Sequence, residues 1–531
     1  MTPVSHHGPA RATGHLCLPV VLESFARRTS SERPALVFRG RATSFRDLDE
    51  RVNRLAAALQ GLGVGHGDRV AVLMQNRPQV VETWFAVQRL GAIAVPVNTR
   101  FVVREVAHVL ADSGAAVLAV DPSLADHGIT ACAQVVTAPR ILCATDHPDD
   151  EVPVGTVHME RAMQRAGPGP APVEVSEHDP AFLMYTSGTT GRPKGAVLTH
   201  LGLFMTTVNT GDERRPLPED RTLVSVPLFH IAAVNSVVNA LLTGGCALIA
   251  EPGPFDPAST ADTLERDRIT ACFMVPTQWQ LLCDLPGIRE RDIPLRYITW
   301  GAAPASRETL RALYATFPEA QVLSAFGQTE TCGSTTMLRG EDALRKIGSV
   351  GRPLRFVEAR IVDDTMRDVP TGAVGEIVYR GPTVMRGYWN APEATAEAFH
   401  GGWFHSGDLC REDADGFVYV VDRKKDMIVS GGENIYPAEL EAVLAEHPGV
   451  REAAVVGVPD PVWGETPVAY VVAGADGGSG AGGDAPPSAG ELVDLCRENL
   501  ASYKKPREVV FLDALPRTAS GKVQKFRLRD R

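Results

Sequence analysis

Residues 185–195 read Y-T-S-G-T-T-G-R-P-K-G. Thr186, Ser187, Thr189 and Thr190 supply hydroxyl donors, and Lys194 adds a fixed positive charge. Gly188, Gly191 and Gly195 let the backbone turn so that successive N–H groups point at one anion. This is the composition of a polyphosphate cradle. The spacing does not fit G-x-x-x-x-G-K-[ST], which excludes the common P-loop. A flexible surface loop is the competing reading of the same residues. The apolar runs at 181–184 and 196–198 read as strands that position the turn.

Four further blocks follow in order: S-A-F-G-Q-T-E at 324–330, W-F-H-S-G-D-L at 403–409, D-R-K-K-D-M-I-V-S-G-G-E-N-I-Y-P at 422–437 and L-P-R-T-A-S-G-K-V at 515–523. Together with residues 185–195 they resemble the signature blocks of the adenylate-forming superfamily, which holds acyl-CoA synthetases, peptide-synthetase adenylation domains and luciferases. The similarity covers about residues 180–525 and is weaker before that.

The chemistry implied is activation of a carboxylate. Its own leaving group would be oxide, so it is first joined to the α-phosphate of ATP. That task is mostly positioning and charge neutralisation. The resemblance implies ATP, Mg²⁺ and CoA as cofactors and co-substrates. It implies a nucleotide site built from Thr186, Ser187, Gly188, Thr189, Thr190 and Lys194, with Gly301, Ala302 and Ala303 at a second corner. Ser324, Ala325, Phe326, Gly327 and Thr329 continue that site. Phe326 stands where the family usually has Tyr; its ring can stack on adenine, without a phenol hydrogen bond. Thr329 can donate to the α-phosphate. Glu330 is a hard oxygen ligand suited to Mg²⁺. Asp408 can accept two hydrogen bonds from a ribose diol, and Arg423 can reach the ribose. Lys425 matches the pivot of a domain rotation, and Gly431 and Gly432 match a turn that approaches the thiol. Lys522, on a Gly-containing loop, can carry charge to the α-phosphate and carboxylate during adenylation. Thr186, Glu330, His230 and Lys522 are the expected catalytic residues.

The elements that must hold these residues are those of a doubly wound α/β protein. Helical spacing at 50–60, 79–90 and 105–112 alternates with apolar strands at 69–74, 92–97 and 115–120. Residues 144–180 read as a connection between two lobes, with the phosphate loop opening the second. Residues 345–421 read as a small β subdomain. The expected fold is therefore α/β: a large N-terminal domain of two such lobes plus the β subdomain over 1–421, a hinge at 422–426, and a small mobile α/β domain over 427–531. The Gly/Ser/Ala/Pro tract at 473–490 reads as a loop.

With 531 residues the chain exceeds one ordinary core. A net charge of −11 argues against nucleic-acid binding. Nine dispersed cysteines without C-x-x-C spacing fit a reducing cytoplasm rather than zinc or disulfides. No run is long enough for a membrane span. Monomer and homodimer are not distinguished by the sequence.

Three features narrow the acid. No Asp follows the corner Phe229-His230, where amino-acid-activating relatives carry one. No Arg occurs in residues 231–238, where malonate-type relatives place one. Gly327 stands where acetate-specific relatives have Trp. Phe229, His230, Val234, Trp300, Gly327 and Gln328 are the expected pocket, with His230 matching a gating ring in the relatives. A hydrophobic acid is expected: medium or long aliphatic, aromatic or polycyclic. CoA is the expected acceptor, with an acyl carrier protein in trans as the alternative. A non-catalytic binding protein on the same fold is the contrasting class; retention of Lys194, Glu330, Asp408 and Lys522 speaks against it.

Overall fold

The computed structural model describes residues 16–28, 31–186, 193–430, 433–474, 487–500, 502–517 and 523–529. Two compact units emerge: one of residues 1–359 and 379–404, the other of residues 360–378 and 405–531.

The first unit holds two twisted sheets. One has seven strands in the order Val157–His158, Arg140–Cys143, Val117–Val120, Arg69–Leu73, Ile93–Pro96, Pro180–Thr186, Lys194–Thr199. All neighbours are parallel except the last pair. Helices Phe45–Gly61, Pro78–Arg89 and Val103–Ser113 alternate with these strands, as the periodicity implies. Ser44 caps the first of them by accepting from the Asp47 amide at 3.1 Å. The central strands are buried on both faces, as parallel sheets covered by helices require.

Two expectations are corrected here. The stretch 144–180 is not merely a connection, because it contributes the edge strand Val157–His158 and helix Met159–Arg165. The phosphate loop does not open the second lobe. It joins the last two strands of the first sheet, because Ala181–Leu183 are fully apolar and pair beside Ile93–Pro96.

Within the first unit the second sheet runs Ser349–Pro353, Thr336–Arg339, Gln321–Phe326, Tyr297–Trp300, Ala271–Met274, Arg221–Val224, Cys246–Ile249, Pro34–Phe38, Arg41–Ser44. Its middle, from Gln321–Phe326 to Pro34–Phe38, is parallel. The carboxyl ends of these strands are where such sheets bind ligands.

In the second unit, Phe404–Glu412 pairs antiparallel with Val418–Arg423. A further sheet runs Glu433–Ile435, Ile428–Ser430, Gly464–Ala473, Val450–Asp460, with Glu508–Phe511 parallel to Gly464–Ala473. Alternation splits its side chains between two cores. Val455, Ala469 and Val471 pack with helix residues Leu440, Leu444, Leu492 and Cys496. Ala454, Val456, Val468 and Tyr470 pack with Leu515 and Leu528. Of the tract at 473–490, residues 475–486 lie outside the described residues.

Candidate functional site

Thr186 ends one strand of the first sheet, and Glu330 lies just past the end of strand Gln321–Phe326 in the second. The two lobes bring them together: Thr186 Oγ1 donates to Glu330 Oε1 at 3.0 Å. Glu330 is 7% exposed, on a single 3₁₀ turn, Thr329–Thr331. That turn is held by the Thr331 hydroxyl, which accepts from the Gln328 amide at 3.2 Å. Lys194 opens the returning strand directly opposite Thr186. Ser187, Gly188, Thr189 and Thr190 lie outside the described residues.

Sequence reasoning missed a third member, Tyr388. Its hydroxyl donates to the same Glu330 Oε1 at 3.1 Å, and the Lys194 ammonium sits 5.5 Å from its ring centroid. The segment G-Y-W-N at 387–390 lies along strand Lys194–Thr199: the Val197 amide donates to Gly387 O at 3.0 Å, and the Trp389 amide to Gly195 O at 2.7 Å. Trp389 Nε1 and Asn390 Nδ2 both donate to Asp112 O, and the Tyr185 hydroxyl donates to Asp112 Oδ2. The aromatic pair behind a glycine was the only local signal.

These residues fit Mg²⁺. Among the described residues, the hydrogen bonds to the Glu330 carboxylate fall on Oε1, and no cation pairs with it. Oε2 is left as a hard anionic ligand. No cluster of three or more His, Cys, Asp or Glu that could cage a metal occurs among the described residues. One carboxylate completed by substrate phosphates and water is how Mg²⁺ is ordinarily held.

Around the expected acid pocket, helix Ile231–Leu242 abuts the loop 327–333. Asn235 Nδ2 donates to Cys332 O at 2.8 Å. Phe229 and His230 stack in a tilted pair with centroids 4.6 Å apart. Burial, reinforced by Arg100, pushes the His230 imidazole down to about 4, so it is neutral at pH 7. Val234 and Trp300 are core residues, 0% and 4% exposed. The glycine at 327 has a backbone reason of its own: a Cβ there would lie 2.0 Å from Gly333 O. Gly301 is equally constrained, since a Cβ would lie 2.5 Å from Ala325 O. Phe326 is half-buried at the end of its strand, beside Gly327 and Gln328.

The second unit carries a differently built cluster. Asp408 and Arg423 are register partners, and Arg423 Nε meets Asp408 Oδ1 at 2.8 Å. The Asp408 amide donates to Ser406 Oγ, and Arg423 donates to Ser406 O. Beside them Glu376, on strand Gly375–Arg380, is 7% exposed and accepts from the Gly407 amide at 3.0 Å. It contacts His405 Nδ1 at 3.0 Å and Lys424 Nζ at 3.2 Å. Burial alone would raise its carboxyl; His405, Lys424 and the Gly407 amide outweigh that and hold it below the usual range.

The block D-R-K-K-D begins inside a strand. Asp422 and Arg423 end a strand, and buried Asp422 accepts from the Arg423 and Ala438 amides at 2.6 and 2.9 Å. Burial nevertheless raises the Asp422 carboxyl. The Lys425 side chain is exposed, while its carbonyl accepts from Arg529. Gly431, Gly432 and Lys522 lie outside the described residues. Their flanks are paired: Ser430 with Glu433, and Arg517 with Val523.

A glycine-rich segment running into Lys194, an uncompensated buried carboxylate at strand carboxyl ends, and a separate Asp–Arg pair define the class of adenylate-forming ligases. A model described as AMP-binding enzyme matches residues 22–389, and one described as AMP-binding enzyme C-terminal domain matches residues 439–522. The chain belongs to the AMP-binding enzyme family. It is 43% identical over 511 residues to feruloyl-CoA synthase of Amycolatopsis sp, covering 95% of this chain and 97% of the relative. It is 40% identical to indoleacetate–CoA ligase of Aromatoleum aromaticum, covering 94% of each. Its fold matches o-succinylbenzoate CoA synthetase from Bacillus subtilis in complex with the acyl-adenylate intermediate, with TM-score 0.83 and 33% identity over 96% of this chain and 98% of that one. The same Bacillus enzyme has been solved with ATP and a magnesium ion. This chain is accordingly an ATP-dependent carboxylic acid–CoA ligase.

Proposed function

We propose that the acid is aromatic, with its carboxyl carried on a short side chain. The observation that carries this reading is the first turn of helix Ile231–Leu242. Ile231, Ala232, Ala233 and Val234 carry no charge beside the tilted Phe229–His230 pair, and His230 is itself neutral. Residues 231–234 themselves offer no charged side chain to an ammonium or to a second carboxylate. The feruloyl and indoleacetate specificities of the two relatives point the same way.

In this reading a carboxylate oxygen of the acid bonds to the α-phosphorus of ATP while the bond to the β-phosphate oxygen breaks, releasing pyrophosphate. The thiolate of CoA then bonds to the acyl carbon and AMP leaves. The turn after Thr186, with Lys194, binds the phosphates. Glu330, held by Thr186 and Tyr388, would hold Mg²⁺, which supplies neutralisation of phosphate charge. Asp408 accepts from the ribose diol, and Arg423 orients Asp408. Lys522 supplies the adenylating cation, Lys425 serves as the pivot, and Gly431 and Gly432 approach CoA. We place the domain boundary for this movement at residues 422–426 and the enzyme in the cytoplasm, where its nine free thiols persist. Among the described residues no helix is long and apolar enough to cross a membrane.

A pyrophosphate-release assay over ferulate, indoleacetate, palmitate, malonate and glycine tests the acid, with the two aryl acids expected to give the highest kcat/KM. A lead for malonate or glycine would overturn the pocket reading. Lys522→Ala is expected to cost on the order of 10²–10³-fold in acyl-adenylate formation while sparing thioester formation from supplied acyl-AMP. Equal loss in both half-reactions would remove the role given to Lys522.

A further inference from the structure

At the opposite ends of the second sheet's strands from Trp300 and Phe326, two hollows share Arg214 and Tyr297 in their walls. One is a recess of about 40 Å³ lined also by Thr207, Thr210, Gly211 and Asn239. The other is a cleft of about 440 Å³ reaching Tyr314 and Gln321. They lie at the amino ends of the parallel strands. Tyr297 begins the strand that Trp300 ends, so the strand separates them from the nucleotide end by roughly 10 Å.

Arg214 is the last residue of helix His200–Arg214. Its guanidinium donates from Nη2 to Thr299 Oγ1 at 3.1 Å. Its Nε is sealed from solvent and has no hydrogen-bond partner. No carboxylate pairs with it among the described residues. Burial pushes the group down to about 10, which leaves it charged at neutral pH. The carboxyl end of its own helix supplies about half an opposite elementary charge, so the cation is undercompensated.

The acidic groups nearby are mostly spent on other partners. Asp220 pairs with Arg296 at 2.6 Å, Glu213 with Arg339 at 2.5 Å, and Asp212 with Arg355 at 3.0 Å. That leaves Arg214 and exposed Arg215 against the single exposed Glu341. Arg214 is half-buried with its Nε sealed from water; a cation partly withdrawn from solvent without a counter-charge is costly, and a planar guanidinium matches a two-oxygen anion.

We propose that this cavity is a second ligand site, separate from the ATP site, that takes a small molecule through an oxyanion, carboxylate or phosphate, seated on Arg214. The cleft, flanked by Tyr297 and Tyr314, holds the body of that molecule.

The test titrates the full chain with inorganic phosphate and, separately, acetate, while a non-hydrolysable acyl-AMP analogue fills the catalytic site. Binding is read as a saturable thermal shift, with ³¹P line broadening for the phosphate arm. One-site saturation by at least one probe is expected, and the stronger arm names the headgroup. Arg214→Gln should weaken that binding at least tenfold. Gly211→Leu leaves Arg214 in place and fills the recess from a position whose Cβ direction is open, where the nearest atom is 4.0 Å away. It should weaken binding to a similar degree, and it keeps the test decisive if Arg214→Gln does not fold. Absence of saturable binding by either probe in the wild-type chain, or wild-type affinity in Gly211→Leu, would overturn the proposal.

Discussion

Glu330 in the first unit and the carboxylates of the second unit are about equally buried but oppositely compensated. Glu330 is held by two neutral hydroxyls, Thr186 and Tyr388, both on one oxygen. Asp408 meets Arg423, and Glu376 meets His405 and Lys424. A hydroxyl orients a carboxylate without cancelling its charge, whereas a guanidinium or ammonium does both. The first arrangement keeps a full negative charge ready for an incoming cation. The second spends that charge on rigidity and leaves only hydrogen-bond acceptance for a ligand. Neighbour type, more than residue type, therefore separates a metal ligand from a positioning carboxylate.

The comparison breaks most readily at Glu330. Glu330→Gln keeps the shape and removes the charge. It should lower kcat/KM for pyrophosphate release on the order of 10²-fold and raise the Mg²⁺ concentration for half-activity. Isothermal titration of Mg·ATP should weaken in parallel. A variant with normal Mg²⁺ dependence would mean that the carboxylate is merely structural.

Tyr388→Phe is the next largest. It removes one of two hydroxyl donors and keeps the ring under Lys194. About a tenfold rise in KM for Mg·ATP is expected, equivalent to about 1.4 kcal/mol, with little change in KM for the acid. Equal loss in both would assign Tyr388 to packing alone.

The smallest catalytic effect should come from Glu376→Gln. Here stability should move instead, by about 1–3 kcal/mol in urea unfolding at pH 7. The sign with pH follows from the depressed carboxyl. Its contribution is complete above about pH 5 and is lost as pH falls through the lower folded value. The gap between wild type and variant should therefore close on acidification. A gap that stays constant with pH would contradict the ion-pair account.

Part of the candidate site is legible because its signals are local: Thr186, Lys194 and Glu330 stand in blocks that the fold brings together. Glycines, hydroxyls and a lysine in eleven residues have the composition of a phosphate cradle, although residues 187–192 lie outside the described residues. The alternation of helical and apolar segments over 50–120 likewise needs no partner to be read. Glu376 was hidden because a strand residue facing a His and a Lys looks like any other in an alternating run. Tyr388 was hidden because its meaning comes from Glu330, 58 positions away, and Lys194. Gly327 stands where acetate-specific relatives have Trp, and only the fold shows that a Cβ there would lie 2.0 Å from Gly333 O.

By itself, then, the chain's order of residues determined the alternating architecture, the kinds of groups available for ATP and acid, and the family resemblance. These rest on backbone preferences and on side-chain chemistry that act within a few residues. Tertiary structure decided which carboxylate stays uncompensated, and that Thr186 and Glu330, 144 residues apart, share one hydrogen bond. It also decided that the Arg214 Nε is sealed from water without a partner while no carboxylate among the described residues pairs with that guanidinium. Electrostatic compensation and burial are properties of neighbours in space, and those exist only once the sheets have closed.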